Sequence, residues 1–116
     1  MTTLGSGTSA PNLVAPHGGV LKQLLVSADR ANQLKREALS LPSWDLTERQ
    51  VCDIELLLSG AFSPLEGFMD QADYEAVRDS MRLVDGTLWP MPITLDVSGE
   101  FGATVKEGDR IVLRHP

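Results

Sequence analysis

Thiols, imidazoles and aromatic rings are scarce in this sequence: one cysteine, two histidines, three Phe, two Trp and one Tyr in 116 residues. The single thiol, Cys52, excludes an internal disulfide, and its place inside an apolar helical run predicts a buried, inert side chain. His17 and His115 stand at opposite ends of the chain, so there is no paired-imidazole ligand motif. Gly-rich phosphate loops, a cysteine pair and a nucleophile elbow are also missing. Asp53 and Glu55 lie two apart on a predicted helix and so point to different faces, which argues against an acid–base pair. No stretch of about 18 apolar residues and no charged-then-apolar leader is present, so neither a membrane span nor export is expected, and the expected address is the cytoplasm.

Positive charge is the other shortage. Ten basic residues face sixteen acidic ones, for a formal charge of −6, and the densest basic pair is Lys35-Arg36 on the solvated side of a predicted helix. Phosphate contacts need clustered Lys and Arg, so nucleic acid is not the expected partner, nor is ATP or sulfate held by this chain alone. No catalytic, cofactor-binding or metal-binding residue is therefore assigned.

The remaining composition, 42% hydrophobic and 22% charged, is that of one globular domain with a single modest core. Residues 1–12, rich in Gly, Ser and Thr, are expected to be a flexible segment, with the domain spanning 13–116. Pro16 and Gly18-Gly19 place His17 in a tight turn. A helix is predicted from Ser27 through Leu41, with Ala31, Leu34, Ala38 and Leu41 on one face and Pro42 as its stop.

A second helix is signposted by Thr47 as cap, with Gln50 completing a capping box and Leu46 and Val51 at the staple positions. Val51, Ile54, Leu57, Leu58 and Ala61 form its predicted buried stripe, and Gly60 its stop. A third helix starts at Asp70, with Met69 and Tyr74 as staple and Tyr74, Val77 and Met81 facing inward.

Between the last two helices lies FSPLEGFM, residues 62–69, a connector with four large apolar side chains. Connectors normally run over the surface and are polar. Phe62 and Met69 are explained by the adjoining helix ends. Leu65 and Phe68 are not, and are expected to fill either the core or an interface. Beyond Met81 the pattern changes. Asp85-Gly86 reads as a hairpin turn between RLV and TLW, ITLDV as a strand beginning at Ile93, Ser98-Gly99 and Glu107-Gly108 as turns, and RIVLR as a short strand. Helices followed by short strands predict an α+β fold.

Together PHGG, LTERQVCDIELLLSGAFSPLEGFM and DGTLWPMPITLDV closely resemble the N-terminal region of ATP sulfurylase (sulfate adenylyltransferase), from about Pro16 to the last residue. The resemblance implies a PUA-like small β-barrel or curved sheet with about three packed helices. For the full-length family it implies ATP, magnesium and the conversion of ATP and sulfate to adenosine 5′-phosphosulfate and pyrophosphate. The family's Gln-x-Arg-Asn and His-x-x-His segments are not in this chain, so the implied role is that of a non-catalytic, structural and interdomain module, truncated at its C-terminal end. Its implied partner is the missing catalytic domain, with Leu65, Phe68, Trp89 and Met91 as the expected interdomain contacts. A homodimer through an exposed strand edge is the second expected partnership. An RNA-binding PUA-type module is the alternative from another class; the charge of −6 and the absence of a basic stripe weigh against it.

Overall fold

A computed structural model describes residues 14–116; the expected flexible segment 1–12 lies outside the described residues. In chain order the elements are α1 (Ala28–Ala38), β1 (Ser43–Asp45), α2 (Glu48–Ser59), α3 (Gln71–Ser80), α4 (Gly99–Gly102) and β2 (Val112–Arg114). None of these helices is long and apolar enough to cross a membrane.

Ser27 caps α1 by accepting from the Arg30 N–H. Ala31, Leu34, Ala38 and Leu41 are half-buried, as their spacing predicts, but the helix ends at Ala38 rather than Leu41. The Leu39, Ser40 and Leu41 amides donate three residues back, to Arg36, Glu37 and Ala38. The residue before a proline is pushed out of the helical region, so the coil tightens and opens ahead of Pro42.

In α2 the local signals hold. Thr47 Oγ1 accepts from the Gln50 amide at 3.2 Å, and Gln50 Oε1 accepts from the Thr47 amide at 3.0 Å. Gly60 ends the helix in the left-handed region at φ 88°. A Cβ there would also lie 2.9 Å from Leu21 Cδ1, so glycine answers both to backbone conformation and to close approach. Leu57 is buried, and Val51, Ile54 and Leu58 are half-buried. Two expectations fail on this helix. Cys52 is exposed, because it lies a further 100° round the helix from Val51 and off the buried stripe. Ala61 is exposed because it follows the reversal at Gly60.

Asp70 caps α3, accepting from the Asp73 amide at 2.8 Å. Val77 is its one buried residue. Tyr74 and Met81, expected inward, are exposed. Tyr74 carries the Arg78 guanidinium 5.9 Å from its ring centroid, and Met81 caps the helix at φ 56°. The left-handed reversal at Met81 turns the chain back, and Leu83 enters the core instead.

The Asp85-Gly86 turn forms as predicted, with Leu83 donating to Thr87 O and accepting from Gly86, but its arms make only one antiparallel bridge, Arg82 to Leu88. ITLDV is not a strand. Its backbone is tied instead by a loop and a helix side chain: Ile93 O accepts from the Met69 amide, and Asp96 O accepts from Gln50 Nε2. RIVLR does supply β2, whose partner is β1, a three-residue strand wedged between Pro42 and the capping box. They pair in parallel, Ser43 with Val112 and Asp45 with Arg114. The fold is thus α+β, but the described residues form an open two-stranded parallel sheet rather than a closed barrel. There are four helices rather than about three, the fourth being a single turn capped by Ser98 where the sequence predicts only a turn.

The core is a cluster of Leu57, Leu65, Val77, Leu83, Trp89 and Ile93, with Phe62, Phe68 and Met69 packed against it. It brings together α2, the 62–69 connector, α3 and the hairpin, while the sheet lies to one side.

Candidate functional site

The 62–69 connector is held from three directions. Ser63 is buried; its Oγ donates to Gly60 O at 2.7 Å and accepts from the Lys22 amide at 2.8 Å. Gly18, at φ 79°, lies so close to Pro64 that a Cβ would come within 2.9 Å of its ring. Lys22 Nζ approaches Glu66 Oε2 at 3.4 Å, and Leu24 donates to Leu58 O. The segment from the PHGG turn to Leu24 therefore runs along the end of α2 and the start of the connector. Its turn is closed by the Gly19 amide on Pro16 O, and His17 Nε2 lies 2.6 Å from Leu88 O, joining the turn to the hairpin.

Trp89 is the centre of this corner. It is buried, its ring meeting Phe62 edge-on at a centroid distance of 5.7 Å and His17 at 5.9 Å. Edge-to-face packing suits the aromatic quadrupole. The indole Nε1 is buried with no hydrogen-bond partner among the described residues.

Four side chains were expected to make interdomain contacts. Leu65 and Trp89 are buried within this chain's own core, Phe68 is half-buried against it, and Met91 is 46% exposed. The structure thus divides them, leaving Met91 and part of Phe68 at the surface. Val84, at 66% exposure, Leu88 and Met81 add apolar surface on the same hairpin. Sequence reading missed Val84 and Leu88, since a two-residue turn says where a hairpin reverses and not which side is covered, and it placed Met81 inward as the last residue of a helix stripe. The Lys22 and Ser63 contacts were also out of reach, because they join residues about forty positions apart.

An open cleft of about 550 Å³ runs between the connector and the hairpin, with Leu65, Phe68, Met69 and Leu83 along its apolar wall. Its carboxylates are Glu66, Asp70, Asp73 and Asp85, and no lining residue is cationic. Each acid already has a structural role. Glu66 pairs with Lys22, Asp70 caps α3, and Asp73 Oδ1 accepts from the Val84 amide at 2.9 Å. Asp85 Oδ1 accepts from the Thr87 amide at 2.9 Å, and that backbone hydrogen bond holds its pKa below the ordinary 3.8. On the outer face of α3, hydrogen bonding and charge attraction from Arg78 likewise lower the pKa of Asp79.

Among the described residues no group of three or more His, Cys, Asp and Glu is placed to hold a metal ion. Cys52 has no activating partner in the hydrogen bonds or ion pairs of the described residues, and His115 is exposed, with its Nδ1 2.9 Å from Pro116 O.

Residues 14–116 match the PUA-like domain family. The sulfate adenylyltransferase of Mycosarcoma maydis is 57% identical over 105 residues, which cover 88% of this chain and 18% of that protein. That of Eremothecium gossypii is 51% identical over 102 residues, 87% of this chain and 20% of its own. Among solved structures, the hexameric APS kinase from Thiobacillus denitrificans superposes with a TM-score of 0.80 at 44% identity, over 89% of this chain and 21% of that one. The chain thus spans about a fifth of the length of each of these proteins.

Proposed function

The chain belongs to the PUA-like domain family, and we propose that it is the non-catalytic N-terminal module of a sulfate adenylyltransferase. In this reading it contributes structure and an interdomain surface to an enzyme that converts ATP and sulfate to adenosine 5′-phosphosulfate and pyrophosphate in the cytoplasm. The observation that carries it is 51–57% identity to curated sulfate adenylyltransferases along 85–88% of this chain.

The surface we assign to the interdomain role is the exposed apolar side chains of the 81–91 hairpin, Met91 among them, together with the exposed part of Phe68. Leu65 and Trp89 belong to the core on which the hairpin is built. Exposed apolar groups gathered on one element mark protein contacts more often than isolated ones do. ATP and magnesium belong, in this reading, to the rest of the enzyme, and so do all catalytic residues.

Two measurements test the proposal. The isolated chain, freed of host enzyme, should show only background ATP formation from adenosine phosphosulfate and pyrophosphate. Turnover proportional to protein would overturn the non-catalytic assignment. In the Mycosarcoma maydis enzyme, replacing the matched segment by residues 14–116 of this chain should preserve activity. A folded chimera without activity would reject the interdomain role.

A further inference from the structure

We propose that the cleft between the 62–69 connector and the hairpin seats an arginine side chain flanked by apolar residues, supplied by the rest of the enzyme. The source of that arginine rests on the interdomain reading; the chemistry that selects it comes from the cleft alone.

Every residue lining the cleft lies between Pro64 and Asp85, in the middle of the chain. On its apolar side Leu65 and Leu83 are buried and Phe68 is half-buried. Val84, 66% exposed, belongs both to this lining and to the apolar surface of the hairpin, so the cleft is continuous with that surface. The bond from the Val84 amide to Asp73 Oδ1 holds the first turn of α3 against the hairpin, and so gathers Asp70, Asp73 and Asp85 on one cleft. Asp70 and Asp73 each give Oδ1 to a backbone amide, and neither Oδ2 receives a hydrogen bond among the described residues. None of the three aspartates is in an ion pair among those residues.

Little nearby positive charge offsets these groups. Lys22 meets Glu66, and the Arg82 guanidinium donates to Gly86 O and does not line the cleft. The N-terminus of α3 contributes about half a positive charge. Four carboxylates against one ammonium and that half-charge leave the cleft anionic. Such a cleft rejects anions, and a purely apolar side chain would cover its carboxylates without pairing them. No three of its acids are placed to hold a metal ion, so the cation it calls for is an extended one. Arginine suits it better than lysine. A guanidinium is more weakly hydrated than an ammonium, bonds several acceptors in one plane, and lies well against a ring such as that of Phe68. At about 550 Å³ the cleft is of small-ligand size, enough for the arginine and part of its apolar neighbours.

Titration of the 116-residue chain with acetyl-Leu-Arg-Leu-amide should shift the amide resonances of residues 65–73 and 83–85 and leave α1 unmoved. Replacing the arginine of the peptide by citrulline keeps its shape and removes its charge. That twin should bind about tenfold more weakly, the loss of a charge-assisted hydrogen bond. Salt should weaken the arginine peptide and not its twin. Asp70→Asn and Asp73→Asn keep the Oδ1 acceptors, and asparagine caps a helix as well as aspartate does. Together they should reproduce the citrulline loss; if the double variant unfolds, the two peptides still decide. In the Mycosarcoma maydis chimera the same pair should lower the thermal midpoint by more than in the chain alone, because only the chimera carries the occupant. A chimera inactive before these substitutions would reject the interdomain reading, and the peptides would still judge the cleft. Absent or scattered shifts, equal binding of the arginine and citrulline peptides, or an equal drop in midpoint in an active chimera and the chain would each overturn the proposal.

Discussion

Residues 46–93 and the two segments that flank them are built on different principles. Every buried residue among those described lies from Leu46 to Ile93, whereas 14–45 and 94–116 contain none. The central region closes a core in which α2 and α3 supply one buried aliphatic each, Leu57 and Val77, and the connector, the hairpin and Ile93 beyond it supply the rest. The flanks attach to it through polar contacts and to each other across the surface. Trp44 Nε1 donates to Gln50 Oε1 at 3.0 Å and Gln50 Nε2 to Asp96 O, while between the flanks the Trp44 and Phe101 rings lie 5.4 Å apart and Arg110 reaches Glu37 at 3.3 Å. Both strands come from the flanks, so the sheet is the periphery of this domain and not its core. A region held by apolar burial should be the last to open, and one held by exposed polar contacts the first.

The largest effect that could break this contrast is at Leu57, the most deeply buried side chain, at 2% exposure. Leu57→Ala should cost about 2–5 kcal/mol, the lost transfer energy plus a cavity. Leu113→Ala in the peripheral sheet, where the side chain is only half-buried, should cost distinctly less. Urea unfolding measures both at a concentration where the chain is monomeric. Equal losses would mean that the sheet is part of the cooperative core after all.

A smaller effect is expected where the two regions meet. Thr47 precedes α2 on the boundary, and Thr47→Ala should cost about 1 kcal/mol through the lost cap on the Gln50 amide. Because Gln50 also holds Trp44 and Asp96, hydrogen exchange should quicken in the flanks more than around Leu57. Uniform acceleration would erase the distinction between regions.

The smallest effect sharpens the contrast from the hairpin side. Asp85 has a lowered pKa in the folded state because its charged form accepts from Thr87. Its contribution is complete above the ordinary carboxylate value of 3.8 and is lost as pH falls through the lowered folded value. The Thr87 amide resonance should therefore shift in acid with a midpoint below 3.8, and Asp85→Asn should abolish that titration while barely changing the urea midpoint at neutral pH. A midpoint at or above the ordinary value would show that the turn gives the carboxylate no help.

Much of the helical architecture was legible because its signals are local. The Thr47–Gln50 box, the Asp70 cap, the Gly60 stop and the Asp85-Gly86 turn each involve residues within four positions of one another. Their geometry depends on side-chain reach and on φ alone. The stripe on α2 was legible for the same reason, and Cys52 was misplaced only by reading an apolar run as a face. Met81 failed because a left-handed cap by a non-glycine residue has no sequence signature comparable to Gly60.

What the sequence by itself determined is the caps that start α2 and α3, the Gly60 stop, the Asp85-Gly86 turn, and through the FSPLEGFM and WPMP segments which family it resembles. Only the tertiary structure decided that Leu65 and Trp89 are core while Met91 is surface, that ITLDV runs unpaired, and that Ser43–Asp45 is a strand. Each of those outcomes depends on a partner far along the chain. Trp89 is buried because Phe62 and the PHGG turn close over it, and β1 exists because Val112–Arg114 returns some seventy residues later to pair with it. A three-residue strand has too few side chains to announce itself by alternation, and its hydrogen bonds are all to a neighbour. Its identity as a strand is a property of the pair.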